Sequence, residues 1–272
     1  MSNLLLGFLA ALVIAFLAYR ARSLSKSGAA GAVLTGTLIF GVGGWQWAVL
    51  LLGFFISSSL LTRLFSKQKT PLNEKFEKGG QRDIAQVLAN GGIAALFAGL
   101  SFLSPHESWP WIGFAASLAA VNADTWATEL GVLSNHPPRL ITTGKQVERG
   151  TSGGISLSGT LAAAGGAAFI ALLTVLCTPS LSVPSLPLPV LFLVVTTSGL
   201  AGALFDSFLG ATVQAIYHCP QCNKETEKHP LHTCGTPTHQ IRGWKWMNND
   251  LVNLACALAG ALVALLSLLG AG

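Results

Sequence analysis

The chain runs in long apolar stretches separated by short polar ones, with little amphipathic spacing inside the apolar runs. The first run, 4–19, has no positive residue ahead of it and is followed by Arg20, Arg22 and Lys26. A cleaved signal peptide has the opposite charge order, so this run predicts a first membrane-spanning helix with its N-terminus outside. Residues 28–65 are too long for one crossing and break at Gly41, Val42, Gly43 and Gly44, which predicts a helical hairpin with a very short outer turn. Further spans are predicted at 84–103, 110–131, 154–177, 188–214 and 250–270, each near the ~20 residues that a bilayer requires. The pattern therefore predicts an all-α polytopic transmembrane bundle of seven or eight spans, or six if part of 28–65 is re-entrant. It forms one integral membrane domain over 1–272, with a Cys/His loop at 217–249 between the last two spans.

Composition agrees with this class. The chain is 51% hydrophobic and 10% charged, against ~25% charged in soluble domains. Loops 20–27, 63–82, 132–152 and 217–249 fall on one side of an eight-span topology and hold all 16 Lys and Arg residues. The opposite loops, 41–46, 104–109 and 178–187, hold none. The positive-inside rule makes the basic side cytoplasmic, in a bacterial-type inner membrane or an organelle membrane, with both chain termini outside. Because the basic residues flank the spans, the net charge of +5 does not signal a nucleic-acid partner. Five cysteines in so apolar a chain do not form a secreted disulfide framework.

Ionisable residues inside spans are costly and point to function. Asp124, Glu129 and Asp206 are such residues, and Asp250 opens the last span, all toward cytoplasmic ends. Asp124 shares a helix face with Thr128 and Gly131, whereas Glu129 points about 140° away and aligns with Asn122. Asp124 and Glu129 therefore share one ion only if the helix unwinds. Asp83, Gln86 and Asn90 form one stripe, Ser198, Gly202, Asp206, Gly210 and Gln214 an i+4 row, and Asp250 and Asn253 an i, i+3 pair after Asn248 and Asn249. Interhelical hydrogen bonding is the structural alternative for Gln86, Asn90 and Asn253. Hard oxygen donors in this setting favour Mg²⁺, completed by water and phosphate oxygens.

After Asp124 comes a basic loop and then a glycine-rich segment, K-Q-V-E-R-G-T-S-G-G at 145–154. Backbone N–H groups at a helix N-terminus bind anions, and glycine allows a phosphate to approach. Gly150, Thr151, Ser152, Gly153 and Gly154 supply such a segment, Thr151 or Ser152 is placed to N-cap the next span, and Lys145 and Arg149 can neutralise phosphate charge. The Walker A pattern is absent. Further on, C-x-x-C at Cys219 and Cys222 and H-x-C at His232 and Cys234 fit a tetrahedral structural Zn²⁺ site, with His229 and His239 as competing fourth ligands.

Together, RDIAQVLANGG (82–92), NADTWATELG (122–131), TTGKQVERGTSGGISLSG (142–159), GALFDSFLGATVQ (202–214), the CPQC…HTCG knuckle (219–235) and NNDLVN (248–253) resemble the phytyl-phosphate kinase and transmembrane protein 19 family of polytopic membrane proteins, long described as a domain of unknown function. The spacing around Asp124, Gly131, Lys145, Glu148 and Gly150 is also similar to that of CTP-dependent polyprenol kinases and CDP-diacylglycerol synthases. The resemblance implies transfer of a phosphoryl group from CTP or another nucleotide to an isoprenyl monophosphate such as phytyl phosphate. On this reading Asp124, Lys145 and Asp206 are catalytic, and Mg²⁺ is held by Asp124 and Asp206 with Glu129. Asn122, Thr128, Gly131, Glu148, Arg149 and residues 150–154 bind the nucleotide phosphates. Arg63 or Arg82, with Gln86, Asn90, Asn249, Asp250 and Asn253, holds the acceptor, whose prenyl tail lies between apolar helices. Two rivals stay open: a CDP-lipid-forming cytidylyltransferase and an ion-coupled transporter. Acceptor length and oligomeric state are not encoded in any motif.

Overall fold

A computed structural model describes residues 2–69, 74–134, 136–178 and 186–269. Parts of two predicted loops, 70–73 and 179–185, lie outside the described residues. Among the described residues, eight long helices carry the fold: α1 (Ser2–Arg20), α2 (Lys26–Gly43), α3 (Trp45–Leu64), α5 (Ile84–Leu103), α6 (Trp109–Gly131), α7 (Leu157–Cys177), α8 (Leu188–Thr212) and α9 (Asn249–Leu269). A single turn, α4 (Ser66–Lys69), follows α3. The predicted hairpin within 28–65 is present, and its break falls at Gly44, whose φ of 83° suits a residue without Cβ.

Among the described residues, six of these helices are long and apolar enough to cross a membrane: α1, α3, α5, α7, α8 and α9. The outward faces stay apolar: Leu5, Phe16, Phe102, Leu157, Leu176 and Leu269 are exposed, as suits a surface bathed in lipid. The two remaining long helices differ for separate reasons. Glycine and threonine dilute α2, while α6 carries Asn122, Asp124 and Glu129. From Pro110 to Ala123, α6 is buried on every side. A helix that is apolar all round belongs in a core, and α6 packs against α3, α5, α7, α8 and α9.

Small residues allow that packing. A Cβ on Gly199 or Gly202 of α8 would come within 2.7 Å or 2.6 Å of Ala119 and Ala120 of α6, and one on Gly260 of α9 within 2.7 Å of Ala120. Backbones that approach this closely are held by dispersion and weak polar contacts, the means available to helices in lipid.

The connections at one end add structure that apolar periodicity does not announce. Strands β1 (Arg139–Leu140) and β2 (Gly154–Ile155) pair antiparallel. The Cys/His loop is a three-stranded antiparallel sheet of β3 (Ile216–Cys219), β4 (Lys224–Thr226) and β5 (His239–Arg242), in the order β4-β3-β5. The four basic loops interlock into one cap. Ser25 N donates to Arg82 O, Lys75 pairs with Glu148 at 2.8 Å, and Lys224 pairs with Glu74 at 2.7 Å.

Candidate active site

Beneath that cap lies a cavity of ≈ 430 Å³, lined by parts of α3, α5, α6, α7, α8 and α9 and by three loops. Asp124 from α6 and Asp206 from α8 line it, and Asp206 feels the like charges of Asp124 and of Glu227. Thr128 and Gly131 lie further along α6, Gln86 and Asn90 come from α5, and Asn249 and Asn253 from α9. Arg149, Gly150, Thr151, Ser152, Gly153 and Gly154 complete the wall with Lys78 and Arg82. The cavity therefore collects acids from spans and cations from loops, as expected for a bundle with no basic residue deep in its apolar runs.

The glycine-rich segment is seated on α8. A Cβ on Gly153 would meet Ala211 backbone and side chain at 2.5–2.6 Å, and one on Gly210 would meet Gly153 N at 3.0 Å. Gly153 also has a φ of 84°. The cap of α7 differs from the sequence expectation. Neither Thr151 nor Ser152 caps it; Ser156 does, its hydroxyl accepting from Gly159 N at 3.1 Å. The helix starts later because Gly154 and Ile155 are used in β2. Thr151 N and Gly154 N are spent on turn bonds to Glu148 O and Thr151 O. Ser152 instead turns its hydroxyl to Glu227 Oε1 at 3.0 Å.

Several predicted residues lie elsewhere. Asn122 is buried and satisfied on both ends: Ser57 donates to its Oδ1 at 3.0 Å, and its Nδ2 donates to Gly166 O at 2.8 Å. It ties α3, α6 and α7 together. Glu148 is exposed and paired with Lys75, and Lys145 is exposed near the tip of the β1–β2 connection; neither lines the cavity. Arg63 donates to Ala21 O and to Ser23 Oγ, lining a neighbouring cavity of ≈ 570 Å³ with Arg22 and Arg82. Asp250 is buried, accepts from Lys78 and also lies outside the main cavity wall. Glu129 does line the main cavity with Asp124, although α6 stays helical through Gly131 and keeps the two on separate faces. Glu129 accepts from Thr62 Oγ1 at 2.7 Å and attracts Arg82.

Arg82 is firmly held. Its backbone bonds Ser23 O and Ser25 N, its guanidinium donates to Ser59 Oγ at 3.2 Å, and it lies 5.6 Å from the ring centroids of both Phe54 and Phe55. Burial pushes its pKa down to about 10, partly opposed by Glu129, so it stays cationic at neutral pH.

Lys78, Gln214 and Glu227 carried no site expectation. Lys78 bridges Asp83, at 2.9 Å, and Asp250. Glu227 is delivered by the β3–β5 sheet into the cavity, where Gln214 Nε2 donates to it at 2.8 Å and Glu77 N at 3.3 Å. Burial pushes its carboxyl above the ordinary range against those hydrogen bonds. Gln214 extends the Ser198–Asp206 row by helical spacing and was findable that way; Glu227 has no local signal.

The Cys/His module resolves the ligand choice. The ligating atoms of Cys219, Cys222, His232 and Cys234 lie within 4.8 Å of one another, so the cluster could hold a metal ion such as zinc. Cys219 Sγ and Cys234 Sγ are 3.6 Å apart, and His232 Nδ1 is 3.3 Å from Cys234 Sγ. Such edges match a tetrahedron with bonds of about 2.0–2.3 Å. Hydrogen bonds from Thr236 and His232 hold the Cys234 thiol down to about 6, while sharing a proton with that sulfur pushes Cys222 up to about 11. Three sulfurs and an imidazole nitrogen held this close suit a bound cation. The competing histidines are engaged elsewhere, His229 stacked on Tyr217 and His239 against His218.

These features define a polytopic integral membrane protein with an acid-lined polar cavity under a basic, Cys/His-bearing cap. The chain belongs to the integral membrane protein family DUF92, whose model matches residues 9–261; this agrees with the family that its motifs resemble. It is 36% identical over 269 residues to Protein PGR of Arabidopsis thaliana, covering 90% of this chain and 89% of that protein. It is 37% identical over 211 residues to the uncharacterized membrane protein MJ0933 of Methanocaldococcus jannaschii, covering 77% and 82%. It is 29% identical over 247 residues to the chloroplastic Protein VTE6 of Arabidopsis thaliana, covering 89% of this chain and 65% of that protein. No solved structure matches it.

Proposed function

We propose that this protein is a membrane-embedded lipid-phosphate kinase that moves the γ-phosphoryl group of CTP, or another nucleoside triphosphate, to an isoprenyl monophosphate such as phytyl phosphate. The observation that carries this reading is the convergence of Asp124 and Asp206, from two helices, on one polar cavity walled by a glycine-rich segment and loop cations. The family resemblance and the match to Protein VTE6 support an isoprenyl acceptor.

The donor set suits a divalent ion: Asp206 Oδ2 is buried and has no hydrogen-bond partner among the described residues, next to a second carboxylate. Mg²⁺ at Asp124 and Asp206 would supply charge neutralisation for the triphosphate. Glu129, engaged by Thr62 and Arg82, serves as the counter-charge of Arg82. Arg149 and the open side of residues 150–154 face the phosphates, and Arg82 holds the acceptor's headgroup. In the transfer, an ionised acceptor oxygen attacks the γ-phosphorus, the β–γ bridging P–O bond breaks, and CDP leaves with that electron pair. The acceptor oxygen is already ionised near neutral pH, so no general base is required. Charge spread over the equatorial oxygens is stabilised by Arg149 and backbone amides. Zn²⁺ in the Cys/His module has a structural role, the basic cap faces the cytoplasm, and no nucleic acid is involved.

Purified protein given phytyl phosphate, Mg²⁺ and CTP should release CDP and form the diphosphate. Asp124→Ala should lose at least ~100-fold in rate, the scale of removing a principal transition-state charge partner. Release of pyrophosphate with a CDP-lipid product would identify a cytidylyltransferase instead, and full activity in Asp124→Ala would refute the site.

A further inference from the structure

A second, apolar cleft shares a wall with the acid cavity. It measures ≈ 170 Å³ and lies between α1, α2, α3 and α5, where Ala15, Gly36, Phe40, Leu52, Val87 and Gly91 line it. Arg82, Gln86 and Asn90 line both the cleft and the acid cavity. Gln86 and Asn90 of α5, with Arg82 just ahead of that helix, therefore separate a mainly aliphatic and aromatic slot from the polar chamber, with a cation at the junction. A ligand lying across that boundary has an apolar chain on one side and an anion on the other.

We propose that this cleft is the binding site for the head-proximal part of the acceptor's isoprenyl chain, with the acceptor phosphate at Arg82. The inference rests on the kinase reading for the acceptor's identity and adds the place and extent of tail recognition. Three features favour this occupant. The guanidinium of Arg82 complements a phosphate and is fixed by Ser59, Phe54 and Phe55. The cleft adjoins the chamber, with Arg82, Gln86 and Asn90 common to both walls. Its volume is below the ~300 Å³ at which sites begin to enclose whole drug-sized ligands, so it takes the first part of the chain and leaves the remainder among lipids. Selection therefore acts near the headgroup rather than on total chain length.

Gly91 gives a direct test. It is buried in the cleft wall, yet a Cβ there meets nothing within 4 Å. Gly91→Leu fills the slot while improving helix propensity. Gly99→Leu, on the same helix with equally open space and no part in any described cavity, is the control. The probe is phytyl phosphate carrying a diazirine near its phosphate, used on the full chain in nanodiscs.

In the wild type, labels should map to α2 and α5 around the cleft and be competed by unlabelled phytyl phosphate. Gly91→Leu should cut labelling at least tenfold, and Gly99→Leu should not. Val87→Phe blocks the same slot from another position and should behave like Gly91→Leu if the latter expresses poorly. Labelling elsewhere, unchanged labelling in both blocked variants, or competition by bulk anionic phospholipid alone overturns the cleft assignment. Cleft labelling without turnover on any nucleotide would overturn the kinase reading while leaving the binding site standing.

Discussion

At the residue scale, Asp83 shows how one side chain serves two elements. It N-caps α5, accepting from Gln86 N at 2.9 Å, while Gln86 Oε1 accepts from Asp83 N at 3.2 Å. It also pairs with Lys78, which reaches Asp250 of α9. Burial alone would raise its carboxyl, but the cap bond and Lys78 outweigh that and hold it below its ordinary 3.8. A carboxyl lowered on folding stabilises fully above its unfolded value, and the contribution is lost as pH falls through the folded value. Asp83→Ala should therefore cost ~1 kcal/mol or more from the cap alone, read as a lower Tm in detergent. Asp83→Asn keeps a capping oxygen and loses the charge, so its Tm should fall less than the wild type's between about pH 6 and pH 3. An equal fall in both would show that the Lys78 pairing contributes no stability.

At the element scale, the β3–β5 module is a prop for the cavity wall. Glu227 reaches Ser152 and Gln214, its N–H donates to Lys75 O at 2.7 Å, and Thr226 Oγ1 donates to Glu74 O at 2.7 Å. Structural zinc sites supply folding free energy directly. Chelation, or Cys222→Ser, should therefore release this loop, lower turnover at least ~10-fold, and expose 74–78 to faster amide exchange while the helices stay protected. Turnover that survives metal removal with exchange unchanged would make the module a bystander.

The same elements mark what sequence could and could not supply. The Gly41–Gly44 break was legible because a glycine run interrupts an apolar stretch too long for one span. The Cys/His cluster was legible from local spacing, but the choice between His232 and its rivals was not. The sheet register sets His239 opposite His218, and the fold of the loop stacks His229 on Tyr217. Asn122 carried the signature of a site residue and proved to be interhelical glue, since its partners Ser57 and Gly166 lie on other helices. Lys78 and Glu227 were invisible because contacts spanning 172 and 150 residues leave no local pattern.

At the scale of the whole molecule, charge and cavity share one end. All 16 Lys and Arg residues belong to loops at the cap or to the helix ends beside it. The exposed stacked pair Trp244 and Trp246 lies at the same end, tied by Trp244 N to Val213 O. Aromatic side chains of this kind favour the membrane–water boundary, and basic loops favour the cytoplasmic side. A nucleotide donor is a cytoplasmic compound, so the proposed activity requires the cap to face that compartment. The β1–β2 connection, with Gly144 exposed at a φ of 68°, offers a place to test this. Exposed loop tips tolerate insertion. A protease site inserted at Gly144 should be cut in inverted membrane vesicles and protected in spheroplasts. A site inserted at Glu107, at the opposite end, should show the reverse. Cleavage at Gly144 from outside would place the acid cavity away from the nucleotide pool and remove the kinase reading, however well the carboxylates are arranged.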